Sequence, residues 1–175
     1  MTIRSAELKD ASAILEIYRP YIENSVVSFE YNVPTVSEIE RRISTVMEKY
    51  PWIVAEEDGQ VIGYAYGTEF RTREAYQWKC EVSVYVTNQA KGKGVGKELY
   101  DNLLYTLKQM GMVSAIAGMT VPNAETEGFH EKYGFAKIAE YEKVGFKNGG
   151  WHNVAFAEIQ LNEYGNEPKI KWLKE

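Results

Sequence analysis

Apolar residues recur at two different spacings along the chain, and the switches between them mark the elements. Thr2–Ser5 reads as a short first strand. From Asp10 the set Ile14, Leu15, Ile17, Tyr18, Tyr21 and Ile22 follows helical spacing, and Pro20 inside it predicts a kink or a break. Thr35-Val-Ser-Glu38 has the form of a capping box, with Ile39, Ile43 and Val46 behind it on one face and Pro51 as the stop. The period then falls to two. Trp52–Glu56 and Val61–Phe70 flank a turn at Asp58-Gly59, a hairpin signal, and Tyr76–Val86 reads as a third long strand. Val95, Leu99, Leu103, Leu104 and Leu107 mark a helix that closes at Gly111. Ser114–Val121 reads as a strand and Glu125–Lys132 as a short helix ending at Gly134. Phe135–Phe146 and Trp151–Leu161 form a second hairpin across Lys147-Asn-Gly-Gly150. The order β-α-α-β-β-β-α-β-α-β-β predicts an α/β (α+β) domain, a mixed sheet with helices on its faces.

Composition narrows the function. The chain has 175 residues, enough for one domain that needs no metal or disulfide staple. We divide it into a domain, 1–161, and a polar tail, 162–175. Ile170, Trp172 and Leu173 in that tail could pack on a partner or on the same chain. The formal charge of −5 argues against binding along a nucleic-acid backbone. One cysteine, Cys80, excludes an intrachain disulfide framework and a multi-cysteine zinc site, and two histidines leave little for a metal. No apolar run approaches the roughly 18 residues of a membrane span, and MTIRSAELKDA has no signal-peptide core. A cytoplasmic protein with no membrane partner and no metal is expected.

The most informative segment is Val84-Tyr-Val-Thr-Asn-Gln-Ala-Lys-Gly-Lys-Gly-Val-Gly-Lys97. A strand feeds a turn with glycines at 92, 94 and 96, and a helix follows directly. Glycines allow positive φ and close backbone approach, and helix N-terminal amides attract anions. Lys91, Lys93 and Lys97 add local positive charge; a loop of solvated lysines is the plainer reading. A P-loop fails on spacing, being one residue short with Glu98 in place of the hydroxyl residue. A dinucleotide fingerprint fails because Lys97 stands where the third glycine belongs.

Gln89-x-x-Gly92-x-Gly94, after Val84-Tyr-Val86, resembles the acetyl-CoA signature of the GNAT superfamily of N-acetyltransferases. Six further segments resemble its phosphinothricin and methionine sulfone (sulfoximine) acetyltransferase branch. They are Ser28-Phe-Glu30, Arg71-x-Arg-x-Ala-Tyr76, Glu81-Val-Ser-Val-Tyr-Val86, Val121-Pro-Asn123, Phe129-His-Glu-Lys-Tyr-Gly-Phe135, and Val144-Gly-Phe-Lys147 with Gly150-Trp151. The resemblance implies a central, mostly antiparallel sheet flanked by helices. It also implies a homodimer, and transfer of the acetyl group of acetyl-CoA to a primary amine by direct attack.

An α-amino group has a pKa of about 7.7–8.0, so an amine acceptor must lose a proton before it attacks. Glu81 is the candidate base, and alternation puts it on one face with Ser83 and Tyr85; an ordinary strand glutamate is the alternative. By resemblance, Val86 N–H stabilises the oxyanion and Val84, Tyr85 and Val86 bind the pantetheine arm. Gln89 and Gly92, Lys93, Gly94, Val95, Gly96 and Lys97 hold the diphosphate. Asn123 either binds the pantetheine arm or caps a helix. His130 stands where many superfamily members place a tyrosine that protonates the departing thiolate, with Tyr133 one helical turn further on, and His130 would assist either that step or proton removal from the amine. Arg71 and Arg73 suit the acidic group of an amino-acid-like acceptor, and Phe29, Glu30, Tyr76 and Trp151 would wall its pocket. Cys80, on the face opposite Glu81, reads as a buried small hydrophobe. Two other readings stay open: acetylation of a protein N-terminus, and a non-catalytic CoA-binding sensor.

Overall fold

The computed structural model describes residues 1–165 and 169–174. Seven strands, β1 (Thr2–Ser5), β2 (Trp52–Glu57), β3 (Gln60–Glu69), β4 (Lys79–Val86), β5 (Ser114–Val121), β6 (Ala136–Lys147) and β7 (Gly150–Gln160), form one sheet ordered β1-β2-β3-β4-β5-β7-β6. Every neighbouring pair is antiparallel except β4–β5, which is parallel. The helices are α1 (Ala11–Glu23), α2 (Val36–Val46), α3 (Val95–Gln109) and α4 (Ala124–Tyr133).

Strand alternation divides the core in two. Trp52, Val54 and Tyr64 face α1 and α2, where Ile14, Leu15, Ile39 and Ile43 are buried. Ile53, Ala55, Ala65, Cys80 and Val82 face α3 and meet Leu99, Leu103 and Leu107. Cys80 is fully buried there, and burial pushes its thiol up to about 12, so it is inert as a nucleophile.

The elements follow the pattern with three adjustments. Pro20 does not break α1: the helix runs on to Glu23, closed by Asn24 N–H donating to Pro20 O at 3.0 Å, with buried Ile17 and Ile22 on either side. Pro51 does not end α2, which stops at Val46; a turn closed by Tyr50 N–H on Val46 O (2.8 Å) follows. The Thr35 hydroxyl caps the helix by accepting from Glu38 N–H at 3.1 Å, while the Glu38 carboxylate turns to Arg41 and Arg42. The third strand starts at Lys79, because Glu74–Tyr76 form a 3₁₀ turn. Both hairpins turn through two left-handed residues, Asp58 with Gly59 and Asn148 with Gly149.

The expected tail, 162–175, is described at 162–165 and 169–174; its other residues lie outside the described residues. Lys171 N–H donates to Met110 O at 2.9 Å, and Trp172 sets its edge against Tyr50 at 5.5 Å. Ile170 and Trp172 therefore pack on the α3 side of their own chain. Leu103 is fully buried between α3 and the sheet. Leu103→Ala should lower the unfolding free energy in urea by about 2–5 kcal/mol, from lost transfer energy plus an unfilled cavity.

Candidate active site

The site begins where two parallel strands stop pairing. β4 and β5 are in register only over Lys79–Glu81 against Ser114–Ile116. Beyond that, β4 stays with β3 as far as Val86 opposite Gly63, and β5 stays with β7 as far as Val121 opposite Asn153. A wedge opens between them. Thr87 N–H donates to Ile62 O at 2.9 Å, so by antiparallel alternation the pairs 64–85 and 66–83 also exchange hydrogen bonds. Val84 and Val86, past the last β4–β5 pair, then turn their main-chain groups away from β3, into the wedge. The closed end is cross-linked by Glu158 of β7, whose Oε1 accepts from Lys79 Nζ of β4 and Ser114 Oγ of β5, each at 2.5 Å. Burial opposes its charge, but these two donors hold the Glu158 carboxyl below its usual pKa.

A cavity of about 430 Å³ fills the wedge. Of the expected coenzyme residues, Val84, Tyr85, Val86, Gly92, Gly94, Val95, Gly96, Lys97 and Asn123 line it. Gln89 and Lys93 are exposed and do not.

Gly92 and Gly94 have φ of 73° and 83°, and Gly94 is the N-cap of α3. A methyl group on either would meet nothing within 4 Å, so the backbone angle and not crowding calls for glycine. No side chain caps α3, and the first-turn amides have no carbonyl partner inside the helix. This donor set, at the positive end of a 15-residue helix, fits a diphosphate. Two of the lysines already meet carboxylates: Lys97 meets Asp101 at 2.7 Å, and Lys91 meets Glu125 at 3.8 Å. The amides are therefore the principal anion donors.

The titratable groups divide by position. Glu81 is half-buried, and desolvation raises its pKa. A methyl group on Gly118 of β5 would lie 3.4 Å from Glu81 Oε1, so the carboxylate reaches across the base of the wedge to a cavity-lining residue. His130 lines the cavity with only 5% exposure. Its Nδ1 lies 2.8 Å from Thr126 O and its Nε2 3.1 Å from the Tyr100 hydroxyl. A carbonyl only accepts, so Nδ1 carries the proton; burial lowers the His130 pKa, and the neutral ring accepts from Tyr100 at Nε2. Tyr133 is not in the cavity wall, because its hydroxyl donates to Asp101 at 2.6 Å. Asn123 caps α4, its Oδ1 accepting from Thr126 N–H at 3.2 Å, while the residue also lines the cavity.

The expected acceptor residues do not form one enclosed pocket within the chain. Arg71, Arg73 and Tyr76 are exposed on the loop ahead of β4, where Arg71 lies over the Phe70 ring at 5.1 Å. Trp151 is 63% exposed beside Phe146. Glu30 is held by Arg42 at 2.7 and 3.2 Å and by the Tyr18 hydroxyl at 3.0 Å. Phe29 packs over Gly145 of β6. The cavity residues that the sequence reading missed include Tyr100, Gly118 and Tyr21, whose hydroxyl donates to Val86 O at 2.8 Å. Tyr21 was visible only as a member of an apolar helix face, and the other two carried no signal.

A model of the acetyltransferase (GNAT) domain matches residues 3–155. The chain belongs to the GNAT acetyltransferase family. It is 36% identical over 154 residues to a phosphinothricin N-acetyltransferase of Streptomyces viridochromogenes, covering 88% of this chain and 84% of that one. It is 32% identical to an L-methionine sulfoximine/L-methionine sulfone acetyltransferase of Salmonella typhimurium, covering 94% and 96%. Among solved structures, a GNAT superfamily phosphinothricin acetyltransferase from Sinorhizobium meliloti in complex with AcCoA superposes with a TM-score of 0.90 at 35% identity, covering 97% and 92%. The wedge and glycine turn thus belong to an acetyltransferase fold.

His130 provides a pH test. Its folded pKa lies below the ordinary value of 6.5, so the unfolded chain binds the extra proton and stability is lost as pH falls below about 6.5. The stability advantage of wild type over His130→Gln, measured by urea midpoints, should shrink from about pH 7.5 to about pH 5.5.

Proposed function

We propose that this protein transfers the acetyl group of acetyl-CoA to the primary amine of a small amino acid or analogue of the phosphinothricin, methionine sulfone or methionine sulfoximine type. One observation carries the reading: the main chain of Val84 and Val86, beyond the last β4–β5 pair, opens onto the same cavity as the α3 N-terminus. The family membership and the names of the similar proteins support the chemistry and the acceptor class.

Functions are laid out along β4 in sequence order. The loop bearing Arg71 and Arg73 precedes the strand, Glu81 lies near its start, Val84–Val86 end it, and the glycine turn follows. Acetyl-CoA, when bound, supplies the activated acetyl carbonyl. The amides of Gly92 and of Gly94 to Lys97 hold its diphosphate, and the main chain of Val84 and Val86 binds the pantetheine arm. Val86 N–H faces the developing oxyanion, a type of contact worth about 2.7–4 kcal/mol. Glu81 receives the amine's proton, and its raised pKa brings it nearer the working range of a general base. Tyr100 and His130 line the cavity, and the Tyr100 O–H reaches the departing sulfur by turning away from His130 Nε2. Tyr133, bound to Asp101, has no part in this reading. Arg71 and Arg73 receive the acidic group of the acceptor.

The same proposal includes a homodimer in the cytoplasm. What supports association is the exposed apolar strip Tyr141, Val144, Phe146 and Trp151 on β6 and β7. Light scattering should return the mass of two chains.

The deciding experiment is a thiol-release assay with acetyl-CoA and a panel of methionine sulfone, methionine sulfoximine, phosphinothricin and the free amino acids. Turnover of at least one is expected; acetyl-CoA binding without turnover of any amine would favour the sensor reading. Glu81→Gln should lower kcat by about 100-fold or more while leaving acetyl-CoA affinity within about twofold.

A further inference from the structure

Lys147 is a lysine with only 4% exposure, at the end of β6. A buried ammonium persists only when its donors are satisfied. Lys147 Nζ donates to two main-chain carbonyls far away in sequence: Ile22 O at 2.6 Å and Ser28 O at 2.7 Å. These carbonyls sit at the two ends of the segment that leaves α1, residues 22–28. One side chain therefore staples both ends of that loop to the β6–β7 hairpin.

Other contacts converge on the same loop. The Phe29 ring lies where a side chain at Gly145 would be, so only glycine fits there on β6. The Tyr31 hydroxyl donates to Phe146 O. His152 Nε2–H donates to Lys147 O at 2.9 Å and its ring lies 6.3 Å from Phe29. From the opposite side, Thr120 Oγ1 of β5 donates to Val26 O at 2.8 Å. The loop is thus tied to both β5 and the hairpin, and it places Val27 in the cavity wall. None of these hydrogen bonds and ring contacts runs to the glycine turn.

We propose that Lys147 is a positioning residue for the acceptor amine, fixing the loop after α1 as the acceptor-side wall of the cavity. The inference rests on the acetyltransferase reading for its kinetic half only. Loss of Lys147 frees the loop, so acceptor binding weakens while coenzyme binding does not.

The test compares wild type with Lys147→Met, which keeps the stem and removes the ammonium, and with Gly145→Ala, which displaces Phe29 and leaves Lys147 in place. Hydrogen exchange of residues 22–31 is measured with and without acetyl-CoA, alongside both KM values using whichever of methionine sulfone or phosphinothricin the wild type acetylates. Exchange in 22–31 should rise at least tenfold in Lys147→Met, while acetyl-CoA protects the 91–97 amides as in wild type. KM for the amine should rise at least tenfold in both variants, with KM for acetyl-CoA within twofold. Unchanged exchange, or equal rises in both KM values, overturns the proposal. If Lys147→Met does not fold, Gly145→Ala decides by the same KM split. A wild type that acetylates neither amine overturns the acceptor role, and the acetyl-CoA protection of 91–97 then shows separately whether the coenzyme reading stands.

Discussion

Main-chain hydrogen bonding between β4 and β5 ends at Glu81 and Ile116, and the site is a consequence of that ending. A parallel ladder that continued to Val86 and Val121 would satisfy the amides of Val84 and Val86 and leave no space for a ligand. The strands separate because each remains committed to its other neighbour, β4 to β3 and β5 to β7. At the closed end the Lys79, Ser114 and Glu158 side chains tie β4, β5 and β7 together. The wedge is open at one end and locked at the other, and a ligand's polar arm can take the place of the missing strand partner. Buried main-chain groups need partners, and β5 offers none to Val84 and Val86.

Charge is handled sparingly around the cavity. The chain carries a formal −5, and the lysines at the glycine turn are partly neutralised by Asp101 and Glu125. Anion attraction rests on oriented amides instead, which keep their geometry and do not titrate. His130 follows a similar logic. Its ring is buried neutral with a defined tautomer, so its contribution is a fixed hydrogen-bond direction toward Tyr100 and not a positive charge.

The two faces of the sheet have separate duties. The α3 face is a packed apolar core that includes Cys80, Val82 and Leu103. The α1–α2 face carries Glu81, Ser83 and Tyr85, and near it the loop after α1 is gripped by Lys147. A single strand, β4, therefore presents apolar packing on one side and the polar groups of Glu81, Ser83 and Tyr85 on the other, while its edge presents the main chain. Alternation of side chains along one strand is enough to achieve this.

Local pattern determined much of this. Helical and alternating spacings gave the elements in order, Asp58-Gly59 and Asn148-Gly149 gave the turns, and glycine spacing gave the anion-binding turn, because each depends on backbone preferences of a few adjacent residues. Parity alone placed Glu81 and Cys80 on opposite faces. At Pro20 the helix runs on without a break, its neighbours Ile17 and Ile22 being buried, and α2 ends at Val46, before Pro51. Only the tertiary structure decided where the β4–β5 ladder stops and that Tyr100 meets His130 across 30 positions. It alone showed that Gly118 faces Glu81, and that Lys147 reaches carbonyls 119 and 125 positions away. These are contacts of register and distance, set by how whole strands pair, and no window of neighbouring residues contains them.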